Sequence, residues 1–184
     1  AGLPLVTQPF IFITNAVTKI VTNNALTAST PYTMAVSNLT VSAPNGAINT
    51  LFLNNAGTTR LRVFGALTVD GRGAITVDNS AILATNQTFV IGTNGANAAL
   101  TITNGGSVVN TDSYLGFTSS SSNNTVLVDG NGSIWTNSSL LIVGQLGAGN
   151  TLTITNGGAV FSDDSIVGNG SSNNVVVVSG TGSV

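Results

Sequence analysis

The sequence predicts an all-β chain folded as a right-handed parallel β-helix, a β-solenoid with about 25 residues and three short strands per turn. Three observations carry this. Residues 100–108 read LTITNGGSV and residues 152–160 read LTITNGGAV, an offset of 52. Residues 126–134 (VLVDGNGSI) and 176–184 (VVVSGTGSV) complete the series, so the unit recurs at spacings of 26, 26 and 24. Within each unit apolar and polar residues alternate with period two, rich in Val, Ile and Thr, and no segment carries a helical stripe. A fixed period of this length marks stacked units, none of which can bury its own apolar edge alone. A β-sandwich also uses many short strands but has no reason to repeat its sequence. The right hand is the general rule for parallel crossovers.

Taken in order, residues 1–37 differ from the rest. Pro4, Pro9 and Pro31 punctuate them, and Phe10-Ile11-Phe12-Ile13 is apolar on both faces. Such a strand must be covered on both sides. The segment is expected either to cap the solenoid or to dock on a neighbouring subunit, with Phe10, Ile11, Phe12 and Ile13 as the subunit-contact strand. Residues 38–184 are expected to form the solenoid, with clear repeats from 100 to 184. Residues 38–65 alternate well enough for one or two turns. LTVDGRGAI at 67–75 matches the first strand of the unit. The step from Leu67 to Leu100 is longer than the later spacings, so an extra loop or strand, over residues 75–85, is expected in that turn.

The unit from Leu100 shows the internal order. An alternating run (Leu100, Ile102 apolar; Thr101, Thr103 polar) meets a turn at Asn104-Gly105-Gly106. A second run (Val108, Val109), a polar corner at 110–113, a third run (Tyr114, Leu115, Phe117) and a Ser/Asn loop at 119–124 follow. Asn104, Gly105, Gly106 and their equivalents Asn156, Gly157, Gly158 are the expected structural corners, since Gly and Asn accept left-handed backbone. Stacking of Asn104 and Asn156 predicts an Asn-lined corner. The third runs align as FVIG at 89–92, YLGF at 114–117, LIVG at 141–144 and SIVG at 165–168. The chain stops at Val184 in the middle of a unit, so Ser183 and Val184 mark an expected open end, belonging to a fragment or made to meet another molecule.

Composition removes several functions. The chain has 4 basic and 6 acidic residues, 5% charged against about 25% in ordinary domains, and no His or Cys. Four scattered cations leave no electrostatic footprint for nucleic acid. Zinc, haem, iron–sulfur and thiol chemistry lose their usual ligands, so no cofactor is expected. No stretch approaches 18 apolar residues, so no transmembrane segment is expected. The opening Ala-Gly-Leu-Pro is compatible with removal of a signal peptide.

TLTITNGGSV, NNTVLVDGNGSIW and TLTITNGGAVFSDDSIVG resemble repeats in secreted bacterial β-helix proteins of the autotransporter-passenger type. PYTMAVSNLTVSAPNGAINTLFLNNAGTTRLRV resembles the region that often precedes them, and the likeness covers residues 31–184. The resemblance implies an exported chain, at the cell surface or released. Its motifs specify fold and export more than activity.

Residues that could carry chemistry are few. Asp112 and Asp164 sit at matched positions 52 apart, with Asn137-Ser138 expected between them; Asp163 and Asp164 are adjacent and point to opposite faces. A polar corner bonding its own backbone accounts for them better than a hydrolase pair. Asp129-Gly130-Asn131-Gly132-Ser133 has the oxygens of a calcium loop but Leu140 where an EF-hand needs its bidentate acid. No helix follows the GxG stretch, and no base serves Ser119 to Ser122. Asn38, Asn86, Asn123, Asn131, Asn137 and Asn169 head N-x-Ser/Thr triplets, and the Ser/Thr rows suit O-linked glycan. Trp135, Phe161, Phe117 and Tyr114 are expected to pack inside or at corners rather than form a sugar-stacking strip.

The expected function is an extracellular structural protein, a solenoid subunit that self-associates head to tail into a filament. The alternatives are a surface adhesin or carbohydrate-binding rod and, behind it, a polysaccharide-degrading enzyme. The catalytic inventory makes the chain a non-enzyme by expectation.

Overall fold

The structure is a computed structural model that describes residues 8–24, 35–54 and 60–184. Pro4 and Pro31, and the side chains of Phe10 and Ile11, lie outside what is described. Each turn of chain contributes one rung, laid on the last. The first rung holds β1 (Gln8–Ile13) and β2 (Lys19–Asn24), and the second holds β3 (Ala35–Ala43) and β4 (Asn49–Asn54). The third holds β5 (Arg60–Val63), β6 (Leu67–Gly71) and β7 (Gly73–Asp78); the fourth holds β8 (Ala81–Ile91) and β9 (Ala99–Thr103). The fifth holds β10 (Ser107–Leu115) and β11 (Thr125–Asp129). The sixth holds β12 (Ile134–Asn137), β13 (Leu140–Val143) and β14 (Thr151–Thr155). The last holds β15 (Ala159–Phe161), β16 (Asp164–Val167) and β17 (Val175–Ser179).

The chain is therefore a β-solenoid repeat protein, a parallel β-helix of about six turns, each advancing the chain by roughly 26 residues. A 7-stranded sheet runs β17-β14-β11-β9-β7-β4-β2, and a 10-stranded sheet takes the remaining strands. Every pairing in both is parallel. Among the described residues there is no helix, and so none long and apolar enough to cross a membrane.

Alternation decides which side chains meet. Leu51, Ile75, Leu100, Val126 and Leu152 stack inward in one column; Leu53, Val77, Ile102, Val128 and Ile154 fill the next. The larger sheet faces them with Leu67, Val69, Phe89, Ile91, Leu115 and Trp135. Full burial of side chains of this size contributes about 1.5–3 kcal/mol each, so the column, not any single contact, holds the rod.

The repeat reading agrees with the register of the smaller sheet: Leu100, Val126, Leu152 and Val176 are direct neighbours. Three details differ. Residues 67–75 do not form the first strand of the unit: β6 belongs to the larger sheet and pairs β8, while Ile75 of β7 sits beside Leu100, one ordinary turn earlier, with no extra loop. The sequence of β6 copies the Leu-Thr-Val pattern because any half-buried parallel strand alternates alike. Second, YLGF is displaced by one residue, since Ser113 lies beside Phe89 and Gly116 follows Gly92. Third, the second and third runs of a unit share one sheet and fuse in β8 and β10, with a register shift between Asn110 and Asp112. The segment read as cap or dock supplies β1, β2 and the start of β3, all paired in the two sheets.

The two corner glycines do different jobs. Gly105 and Gly157 have φ of +80° and +87°, left-handed backbone that favours glycine. Gly106 and Gly158 need the absence of a side chain instead: a Cβ there would lie 2.2 Å from the Val77 carbonyl oxygen and 2.4 Å from that of Val128, in the rung before. Gly106→Ala therefore forces adjacent rungs apart. It is expected to lower the thermal midpoint by the equivalent of roughly 2–3 kcal/mol. Gly46→Ala, where a Cβ meets nothing within 4 Å and only the φ of +89° resists, should cost less. Circular-dichroism melts of the two variants check the order.

Candidate functional site

Every rung must turn corners, and each corner turns backbone N–H groups inward, away from water. Asparagine satisfies them. Asn124, Asn150 and Asn174 share one column. The Asn124 Oδ1 accepts the Ala98 N–H at 2.8 Å; the Asn150 Oδ1 accepts the Asn124 N–H at 3.0 Å and its Nδ2 at 2.8 Å. The Asn174 Oδ1 likewise accepts the Asn150 N–H and Nδ2, both at 2.9 Å. The second amide hydrogens of Asn124 and Asn150 go to the carbonyls of Ser121 and Gly147. These side chains lie over Gly92, Gly116 and Gly144, where a Cβ would collide with them at 2.1–2.3 Å. The FVIG-type glycine and the Asn-Asn connector are thus one device.

A second polar knot closes the bend of the larger sheet. Buried Asn110 accepts the Trp135 Nε1–H at 2.9 Å and donates to Ser113 Oγ at 2.8 Å and Asn137 Oδ1 at 3.0 Å. Ser113 Oγ also donates to Asn137 Oδ1. Trp135 meets Phe89 edge-on, ring centroids 6.4 Å apart. Among the described residues the Thr93 Oγ1 is the one buried side-chain polar atom without a partner.

The predicted corners are placed as turns, but not as an Asn-lined stack. Asn104 and Asn156 are exposed, with φ of +53°, and Gly130 occupies the rung between them. Asn104 Nδ2 donates to Asp78 Oδ1 at 2.9 Å and Asn156 Nδ2 to Asp129 Oδ1 at 2.8 Å. The N–H groups of Gly105 and Gly157 donate to Ser133 and Ser183 Oγ, 3.1 Å each. The Asn ladder lies instead at the opposite end of the strand, where the repeated NNTV and NNVV already signal it.

The acids are used in the same way. Asp70 Oδ1 accepts three successive N–H groups, of Thr93, Asn94 and Gly95, at 2.8–3.0 Å. Asp112 Oδ1 accepts the Leu140 N–H at 3.2 Å. Asp112 and Asp164 do share a column two rungs apart, but Leu140 stands between them, not Asn137-Ser138, and Asn137 is buried. Asp129, the head of the calcium-like loop, holds Asn156. Among the described residues no three acids gather at one point. Ser120 and Ser121 donate to carbonyls of the rung before.

The aromatic residues divide. Trp135 is interior. Phe161, one residue out of register with it, is exposed beside Thr136. Tyr114 and Phe117 form an edge-on pair, centroids 5.2 Å apart, half-buried and exposed respectively, at the corner that ends β10. Of the N-x-Ser/Thr asparagines, Asn137 is buried and engaged, while Asn123, Asn131 and Asn169 are exposed.

Among the described residues, one strand set bounds each end of the two sheets. β1 and β2 bound one end; β15, β16 and β17 bound the other. In β1, Phe12 is exposed and Ile13 buried. Ser183 Oγ donates to the Ser179 carbonyl, and Val184 exchanges backbone bonds with Gly158 and Val160. Its side chain is exposed. Val176 stands in the inward column of Leu152 yet is 38% exposed, against 2% for Leu152.

Compared with protein-family models, with curated proteins and with solved structures, the chain finds no match in any of the three.

Two outcomes follow from the ladder. Asn150→Ala leaves the Asn124 N–H and Nδ2 buried without their acceptor and is expected to destabilise by roughly 2–4 kcal/mol. Asn131→Ala, at an exposed turn, leaves the midpoint unchanged within error. Emission of the single tryptophan, buried Trp135, reads both transitions, blue-shifted when folded and red-shifted on unfolding.

Proposed function

We propose that this chain is an extracellular structural protein, a solenoid subunit that stacks head to tail into a filament at or released from a bacterial surface. The all-parallel pairing of both sheets carries the reading: each rung offers the next the edge pattern that it met, so β17 and β2, the outermost described strands of the smaller sheet, are complementary under simple translation along the axis. A contact of that kind does not close and grows as an open filament.

Export is supported by the likeness to passenger repeats and by a surface of amides and hydroxyls with 5% charged residues. The polar side chains support a structural rather than catalytic role, because Asp70, Asp112 and the buried asparagines of the ladder are committed to backbone groups of neighbouring rungs. Covalent glycan on exposed Ser, Thr or Asn belongs to the same reading. The Tyr114–Phe117 pair favours a second one, a carbohydrate-binding rod, since exposed aromatic faces stack on sugars.

Negative-stain electron microscopy of native material, with intact mass on the same sample, tests the proposal. Uniform filaments with an axial repeat of roughly 30–40 Å, seven rungs at about 4.8 Å each, are expected. Isolated short rods, or a mass showing a longer parent chain that continues past Val184, would overturn it. Saturable glycan binding abolished by Phe117→Ala would move the assignment to the binding rod.

A further inference from the structure

We infer that Asn45 and Asn131 are sites of self-modification, where the chain converts its own Asn–Gly bonds to aspartyl and isoaspartyl linkages, and that Ser133 keeps Asn104 from reacting in the same way. The inference is independent of the filament reading.

An Asn–Gly bond reacts without an enzyme. The Gly nitrogen gives up its proton and attacks the Asn Cγ. The bond from Cγ to the side-chain nitrogen breaks, and ammonia leaves with that proton. A cyclic succinimide remains, and water opens it at either carbonyl. Opening at Cγ gives aspartate. Opening at the main-chain carbonyl gives isoaspartate, with one more carbon in the backbone. Glycine, having no side chain, hinders the attack least. In a folded chain the Gly nitrogen must also reach Cγ, and its N–H must not be held elsewhere.

The sequence has six Asn–Gly pairs, headed by Asn45, Asn94, Asn104, Asn131, Asn156 and Asn169. All six asparagines are exposed, so access does not rank them. Backbone and hydrogen bonds do. In the turns at Asn104-Gly105 and Asn156-Gly157 both central residues have positive φ. Left-handed backbone sets Cβ beside the residue's own carbonyl oxygen, which leaves the next nitrogen on the far side. The Gly105 and Gly157 N–H groups are held as well, 3.1 Å from the Ser133 and Ser183 hydroxyls. Both side-chain amides are tied, to Asp78 and Asp129. At Asn94 the Gly95 N–H donates to Asp70 at 2.8 Å. Asn169 is held by its side chain, which donates to Gln145 at 3.0 Å.

Asn131 is restrained in none of these ways. Its turn is closed by the Ser133 N–H on the Gly130 carbonyl at 3.0 Å, and of the two central residues only Gly132 has positive φ. Among the described residues neither the Asn131 side chain nor the Gly132 N–H has a hydrogen-bond partner. Asn45 is alike, in a turn closed by the Ala47 N–H on the Pro44 carbonyl at 3.1 Å, with Gly46 at a φ of +89°. Ser133 is the guard of the neighbouring rung. It is buried, its hydroxyl donates to the Asp129 carbonyl, and it accepts the Gly105 N–H. Each conversion adds a carboxylate to a chain in which 5% of residues are charged.

Peptide mapping of the 184-residue chain held in mild alkali, with aspartyl and isoaspartyl products resolved by chromatography and mass, reads each site separately. Asn45 and Asn131 are expected to convert roughly tenfold faster than Asn94, Asn104 and Asn156, the factor that release of one hydrogen bond implies. Asn169 should fall between. In strong denaturant the six rates should converge, which assigns the difference to the fold. Ser133→Ala is expected to speed Asn104 by roughly the same tenfold factor and to leave Asn94 unchanged. Asn131→Gln should remove its own product and leave Asn45 as before. Equal rates at Asn104 and Asn131 in the folded chain, or a folded chain in which Asn131 stays intact, would overturn the sites. Equal acceleration of Asn94 and Asn104 by Ser133→Ala would overturn the guard, since loosening of the whole rod would then account for both.

Discussion

The structure depends on one requirement, that a chain laid rung upon rung must turn its corners without leaving buried N–H groups unpaired. Strand ladders satisfy the flat parts of each rung without help from side chains. Corners have no such ladder, and an orphaned buried donor costs about 1–3 kcal/mol each time it recurs. A solenoid multiplies that cost by the number of turns. The amide of asparagine meets it at low volume, with one oxygen that takes a backbone N–H and one nitrogen that returns a bond to a carbonyl. Asn124, Asn150 and Asn174 do this in succession, and Asn49 does it for the Lys19 N–H near the other end of the rod. Between them the column holds Gly73, where a Cβ would strike the Val41 carbonyl oxygen at 2.1 Å, so no asparagine fits and the ladder is interrupted.

From that requirement the composition becomes intelligible. Polar side chains face inward as well as outward, and those facing inward are short and neutral and, apart from the Thr93 hydroxyl, paired among the described residues. Asp70, which caps three N–H groups, shows what a carboxylate does in this setting: it serves the loop of the following rung. The outward columns vary more, mixing threonine and alanine (Thr50, Ala74, Ala99, Thr125, Thr151) with larger apolar side chains such as Phe52 and Leu127.

From β9 to β17 the smaller sheet is legible in the sequence residue by residue, because LTITNGG and its relatives fix both the alternation and the turn. The larger sheet is legible only in outline. There the second and third runs fuse, and the interior position beside Phe89 and Leu141 is taken by Ser113, whose hydroxyl belongs to the Asn110 knot. A polar residue in an apolar column displaces any alignment built on hydropathy, which is why such an alignment sets Tyr114 one residue off. The buried ladder escapes recognition for a related reason. Asn104 and Asn124 look alike in sequence, one in Asn-Gly and one in Asn-Asn. What separates them is burial, and burial is set by the rung above.

The ladder also has a direction. Strand bonds between rungs alternate in sense along each strand, so a sheet carries little net dipole. The asparagine bonds do not alternate: each N–H on one rung points to an Oδ1 on the next, from Ala98 through Asn124 and Asn150 to Asn174. Their amide dipoles therefore add along one edge of the rod, as peptide dipoles add along a helix. The part of the rod from β9 to β17 is thus electrically polar along this edge, with the side-chain carbonyl oxygens facing β9 and the amide hydrogens that they accept facing β17.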